Sequence, residues 1–213
     1  MDSDSETLLE RLRNGDEASL AALFSRHREK LWRLVQFRLD PRLRGRVDAD
    51  DVLQEAYLNA AQRIRHFFEK PSMSFFVWLR LIVDQTLADT HRRHLGTRLR
   101  DAGREVRIDP GCQPHATSTS LAIQIAGSLT SPSQAAIRDE TYRQLEEALE
   151  SMDPTDREVL ALRHFEELSN GEVAEVLGIQ EKAASIRYVR ALRRLKGILT
   201  RLPGFSDLGE VKP

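Results

Sequence analysis

Residues 169–196 read SNGEVAEVLGIQEKAASIRYVRALRRLK, and their charge changes sign partway along. Glu172 and Glu175 precede Gly178, whereas seven positive charges and no negative ones fall between Lys182 and Arg201. Ser169 and Glu172 stand at capping-box spacing, and Gly178 can adopt the left-handed conformation that ends a helix. The pattern is helix, glycine turn, basic helix: a helix-turn-helix. Ala174, Val176, Leu177, Ile179 and Ile186 supply the small and apolar side chains expected where the two helices cross. Arg187, Arg190 and Arg194 recur at three and four and share a face. Such a stripe neutralises phosphates and carries a few side chains to base edges.

The flanking sequence is helical too. Leu8, Leu9, Leu12, Leu20, Leu23, Phe24, Leu31, Leu34 and Val35 fall on one stripe within 5–39. Asn14-Gly15-Asp16 breaks the first helix and can cap the second. A further helix is predicted over 48–68, with Val52, Leu53, Ala56, Tyr57, Ala60 and Ile64 inward. After the interruption at Lys70-Pro71-Ser72 the pattern resumes over 74–95, with Phe75, Trp78, Leu79, Ile82, Val83 and Leu87 as core. Glycines, prolines and a Thr/Ser run mark 99–136 as an interdomain linker, within which SLAIQIAGSL is a candidate short helix or docking segment. Helices return at 137–151, 154–165, 170–177 and 181–200, and Asp153-Pro154 opens one of them. The expected fold is all-α: an N-terminal helical domain over 1–98, the linker, a four-helix C-terminal domain over 137–202, and a tail over 203–213.

Composition narrows the function. The net charge of −1 hides segregated local charge, so the basic helix matters more than the total. The single cysteine, Cys112, excludes an internal disulfide and a Cys-rich zinc site. The acidic start MDSDSETLLERL does not read as a signal peptide, and no apolar run spans a bilayer. A cytoplasmic protein with no membrane partner is expected. His91 and His94 are three apart on one helix but lack a carboxylate trio, so no metal is expected. No glycine-rich phosphate loop or nucleophile pattern is present, so neither a cofactor nor an enzyme is expected. From the residues alone, a stand-alone helix-turn-helix regulator and a helical interaction adaptor stay open.

Three blocks in order resemble the sigma factors of bacterial RNA polymerase, within the sigma-70 family and its compact extracytoplasmic-function, or ECF, group. The opening stretch with the preceding LESMDPTDREVLALRHFEELS is similar to the promoter-binding domain; DADDVLQEAYLNAAQRI (48–64) to the polymerase-binding helix; SFFVWLRLIVDQTLADTHRRH (74–94) to the promoter-melting helix. The resemblance implies a non-enzymatic factor that binds core polymerase, directs promoter recognition and melting, and allows initiation. The implied partners are the clamp helices of the largest polymerase subunit, the flap of the second-largest, promoter DNA and an anti-sigma protein.

The resemblance also implies site residues. Asp48, Asp50, Asp51, Gln54 and Glu55 would face polymerase. Helix-dipole compensation accounts for acids in the first turn but not for Gln54 and Glu55. Phe68, Ser72, Ser74, Arg80, Gln85, Thr86, His91, Arg92 and Arg93 would face the −10 element, with Phe68 stacking on an unpaired base. Trp78 is read as core rather than as a stacking residue. Gln85 stands where the family commonly has asparagine, and Glu69-Lys70-Pro71 replaces a small glycine-containing pattern. Ser185, Val189 and Arg190 would face the −35 element, with Lys182, Arg187, Arg193 and Arg194 nearby and Lys182, Arg187 and Arg194 on phosphates. Ala183-Ala184 replaces the common Thr-Val start of that helix. The linker would thread across the polymerase.

Overall fold

A computed structural model of the chain describes residues 3–69, 72–99, 117–129 and 135–201. The chain divides into two compact units, Met1–Pro114 and His115–Pro213. Among the described residues both are helical, with one isolated bridge, Arg44 to Val47, as the only β-type pairing.

In the first unit, α1 (Ser3–Arg13) lies on α2 (Ala18–Arg38), which packs with α3 (Ala49–Glu69) and α4 (Phe75–Leu99). The break between α1 and α2 is built as its residues require. Gly15 has a φ of 95°, and Asp16 accepts from the Ala18 N–H and the Ser19 hydroxyl. Leu23, Leu31, Leu34, Val52, Leu53, Leu79, Ile82, Val83 and Leu87 form the interior. Ala56 and Ala60 are wholly buried on α3, where small side chains let helices approach closely. Phe67 meets Phe75 and Trp78 with ring centroids 5.6 and 4.9 Å apart, which clamps the end of α3 to the start of α4. Trp78 thus belongs to the packing, as its spacing indicates.

A buried ion-pair cluster joins α2 to α4. Arg80 is 1% exposed and donates to Asp84 one turn on at 2.7 Å. Arg38 of α2, also buried, brings Nε to 3.8 Å from the other Asp84 oxygen. A polar ladder joins α3 to α4. Arg93 pairs with Glu55 at 2.7 Å, the Asn59 amide donates to the Thr86 hydroxyl at 3.0 Å, and Arg63 donates to Gln85 at 2.7 Å. Residues 55, 59 and 63 are four apart, so one face of α3 carries all three rungs.

In the second unit, α5 (Ser118–Leu129) packs against α6 (Ala135–Glu150), followed by α7 (Pro154–Leu160), α8 (Asn170–Leu177) and α9 (Glu181–Leu199). The segment expected as a linker therefore contains a packed helix. Leu121 and Ala122 are wholly buried, Thr117 caps the helix by accepting from the Ser120 N–H, and Thr119 donates to Glu146 of α6. A segment as apolar as LAIQIA is stable as a helix only when buried. Residues 100–116, with Cys112, and 130–134 of that stretch, and the tail over 203–213, lie outside the described residues.

The helix expected over 154–165 changes character at Ala161, where a wider π-helical turn runs to Phe165. Two residues beyond its end, Glu167 has a φ of 56°, unusual for a residue with a side chain. Asp153 caps α7 by accepting from the Thr155 N–H at 2.8 Å, with Pro154 in the first turn. Ser169 and Glu172 form the full capping box. Gly178, at φ 62°, turns the chain into α9.

Asp84→Ala should destabilise the first unit by about 3–5 kcal/mol in urea unfolding, because it removes a carboxylate from between buried guanidinium groups. A loss below about 1 kcal/mol would mean that the cluster tolerates its absence.

A second prediction concerns pH. His91 accepts the Asp40 N–H through Nε2 at 3.2 Å, and burial holds its pKa below the ordinary 6.5, with Asp40 opposing in part. The unfolded chain therefore takes up the proton first as pH falls. Stability from this site is complete above about pH 6.5 and declines below it. His91→Gln should flatten the unfolding midpoint between about pH 7 and 5.5. An unchanged slope would assign the acid sensitivity to other groups.

Candidate polymerase and nucleic-acid interfaces

The acids at the start of α3 divide by role. Asp48 accepts the Asp50 N–H at 3.0 Å, as a helix cap does. Asp50 pairs with Arg28 of α2 at 2.7 Å and Glu55 with Arg93 of α4. Asp51 and Gln54 are exposed, and no ion pair of Asp51 occurs among the described residues. Leu58, 56% exposed, lies seven residues past Asp51 and four past Gln54, on the same outward stripe. Leu58 is thus an exposed apolar side chain surrounded by the polar Asp51, Gln54 and Glu55. The sequence carries no signal that sets Leu58 apart, because one leucine in an apolar helix has the composition of core.

The second group, on and before α4, is split by burial. Gln85, Arg92 and Arg93 are exposed, on a stripe with Asp89, to which Arg92 is paired. Ser72 is exposed and Ser74 half-buried. Three expected DNA contacts instead face inward. Arg80 belongs to the buried cluster; Thr86 is 1% exposed, accepts from Asn59 and donates to the Ile82 carbonyl; His91 holds the Asp40 N–H. The signal for this was Asp84. A carboxylate four residues after Arg80, in a helix otherwise apolar on that side, marks an ion pair turned inward. Phe68 is half-buried, edge-on to Phe67, with the Arg13 guanidinium 5.4 Å from its ring centroid. A cation at this distance is attracted to the face of the ring and helps hold it in place.

The third group is on α9. Ala184 and Ala191 are buried and set the inward face, with Tyr188 and Leu195 half-buried beside them. Tyr188 carries the Arg163 guanidinium 5.2 Å from its ring centroid, and Arg163 also donates to the Leu168 carbonyl. One side chain of the π-helical turn thus ties the loop before α8 to α9. Lys182, Arg187, Arg190 and Arg193 are exposed, Val189 is 45% exposed, and Ser185 is half-buried. Two expectations change. Ile186, assigned to helix crossing, is 46% exposed; two residues past Ala184 on a helix is 200° away from the inward face. Arg194 is paired with Asp156 of α7, so it anchors the helix as well as adding charge. The outward face is therefore basic with an apolar strip of Ile186 and Val189, able to meet phosphates, base edges and thymine methyl groups.

Comparison with known proteins agrees with this layout. The family model "Sigma-70 region 2" matches residues 23–96, which include most of α2, all of α3 and most of α4, and "Sigma-70, region 4" matches 142–195, from α6 into α9. The ECF RNA polymerase sigma factor BldN of Streptomyces coelicolor is 28% identical over 201 residues, 93% of this chain and 68% of that protein. The RNA polymerase sigma factor CarQ of Myxococcus xanthus is 29% identical over 196 residues, 91% of this chain and 97% of that protein. The solved structure of CnrH, in complex with the cytosolic domain of CnrY, superposes with a TM-score of 0.53 at 21% identity, covering 94% of this chain and 99% of that one, and so shares its fold. The two family matches span more than half of the chain and include both the acidic face of α3 and the basic face of α9. This chain belongs to the sigma-70 family, as an ECF sigma factor.

Proposed function

We propose that this sigma factor docks on core RNA polymerase through α3, contacts the opened −10 region with Phe68 at the end of α3 and the exposed Gln85 and Arg92 of α4, and reads the −35 element with α9. The observation that carries the reading is the pairing of opposite interfaces on separate units. Asp51, Gln54 and Leu58 make an acidic face with an apolar centre on one; Lys182, Arg187, Arg190 and Arg193 make a cationic face on the other. A stand-alone regulator would need only the second. The protein acts as a binding factor rather than an enzyme, in the cytoplasm where promoter and polymerase meet. Among the described residues, no helix is long and apolar enough to cross a membrane.

On this reading the polymerase face has a defined centre. Asp51→Arg should abolish co-elution with core polymerase while leaving the unfolding midpoint unchanged, because Asp51 is exposed and like charge across an interface is strongly disfavoured. Leu58→Ala should weaken the same complex about tenfold, as loss of an apolar anchor does. Asp51 is the cleaner probe than Glu55, whose reversal would also oppose Arg93. Wild-type co-elution of Asp51→Arg would remove α3 as the docking helix.

The promoter contacts should separate by salt and sequence. Arg190→Ala should cost about 1–3 kcal/mol on the best −35 element and less on degenerate ones. Arg187→Ala should weaken all elements alike and reduce the salt slope by about one. A uniform loss from Arg190→Ala in titrations against −35 variants would move Arg190 to the phosphates.

A further inference from the structure

We infer that Arg63 is a specificity-determining residue of the −10 contact: it holds the Gln85 amide so that the pair offers a base hydrogen-bond donors rather than a donor and an acceptor. The inference rests on the assignment of Gln85 to the opened −10 strand.

The Arg63 guanidinium donates through Nη1 to Gln85 Oε1 at 2.7 Å. A guanidinium has five N–H donors and no acceptor, so only the oxygen of the amide can face it. The orientation of Gln85, usually ambiguous for an amide, is therefore decided by chemistry. The bond is charge-assisted and short. Its register is set one rung away, where Asn59 of α3 donates to the buried Thr86 hydroxyl at 3.0 Å. Arg63 follows Asn59 by one helical turn and Gln85 precedes Thr86, so the two side chains are brought together by a fixed helix pair. Both are exposed, so the face they present is open to a ligand.

The consequence is a change in what a glutamine reads. A free Gln amide pairs bidentately with adenine, its oxygen accepting from N6 and its nitrogen donating to N7. With Oε1 drawn to Arg63, the outward side of Gln85 is its NH₂ group, and the neighbouring guanidinium adds further N–H donors. Two adjacent donors match two adjacent acceptors. Guanine shows these at N7 and O6, and cytosine at N3 and O2. Adenine places its amino group beside a single acceptor on either edge, so it sets a donor against a donor. Arg63 thus turns a side chain suited to adenine into one that selects against it.

The test uses the full-length protein assembled with core polymerase. The probes are single-stranded non-template oligonucleotides in which each −10 position is varied through all four bases. Wild type should disfavour adenine at one position. Arg63→Met, which keeps the stem and removes the donors, should raise adenine relative to guanine and cytosine there by about tenfold. Arg63→Lys, still a cationic donor to Oε1, should retain the wild-type order, and Arg63→Gln provides a second neutral variant. An equal loss for every base in both neutral variants would make Arg63 a phosphate contact and overturn the inference. Gln85→Ala separates the two levels of the argument. If it changes base preference while the neutral Arg63 variants do not, the Arg63 inference alone falls. If Gln85→Ala changes preference at no position, the assignment of Gln85 fails and the inference falls with it.

Discussion

Asp84 is the residue around which the first unit is arranged. Its two oxygens face Arg80 on its own helix and Arg38 on α2, and all three side chains are buried. Buried charges are tolerated only when they are paired at close range, and such pairs resist sliding because any shift separates them. The cluster therefore fixes the rotation of α4 about its axis. Once Arg80 and Asp84 point inward, Gln85, Asp89 and Arg92 must point outward. The face that α4 offers to a ligand follows from a pair that never meets one.

The same logic sets the phase of α3. Ala56 and Ala60 lie against the interior, while Glu55, Asn59 and Arg63 reach across to α4. What remains for an external partner is the stripe through Asp51, Gln54 and Leu58. Polar rungs between two helices thus divide one helix surface into a part committed to the domain and a part free to bind. Surface ion pairs such as Glu55–Arg93 contribute little to stability; their effect here is to hold side chains at the border between α3 and α4.

In the second unit the helix-turn-helix is held from behind. Arg163 reaches Tyr188, and Asp156 holds Arg194, so α9 is fixed along its length by α7 and the π-helical turn that follows it. A π turn closes each hydrogen bond over one more residue than an α-helix does, and here it places Arg163 against Tyr188 of α9. The outward face is left with Arg187, Arg190 and Arg193 around Ile186 and Val189.

Much of this was legible in the chain itself. Helix boundaries followed from local chemistry: Asp16, Asp153 and Ser169 as caps, Gly15 and Gly178 as turns. These depend on neighbours within four residues. The helix-turn-helix and the acidic start of α3 were equally plain, since periodicity and charge are properties of a short segment. What the segment could not decide was direction. Arg80, Thr86 and His91 carry the same donors and acceptors as true surface contacts, and only packing against α2, α3 and the turn after α2 turned them inward. Ile186 went the opposite way, from expected helix crossing to exposed face, and Leu58, which carries no signal of its own in the sequence, lies exposed on α3. The pairing of Arg63 with Gln85 joins residues 22 apart, and that distance is closed only by the crossing of α3 and α4. Local sequence determines which helices form and where they end. Which face of each helix is free is a long-range property, decided when buried charges and apolar side chains find their partners.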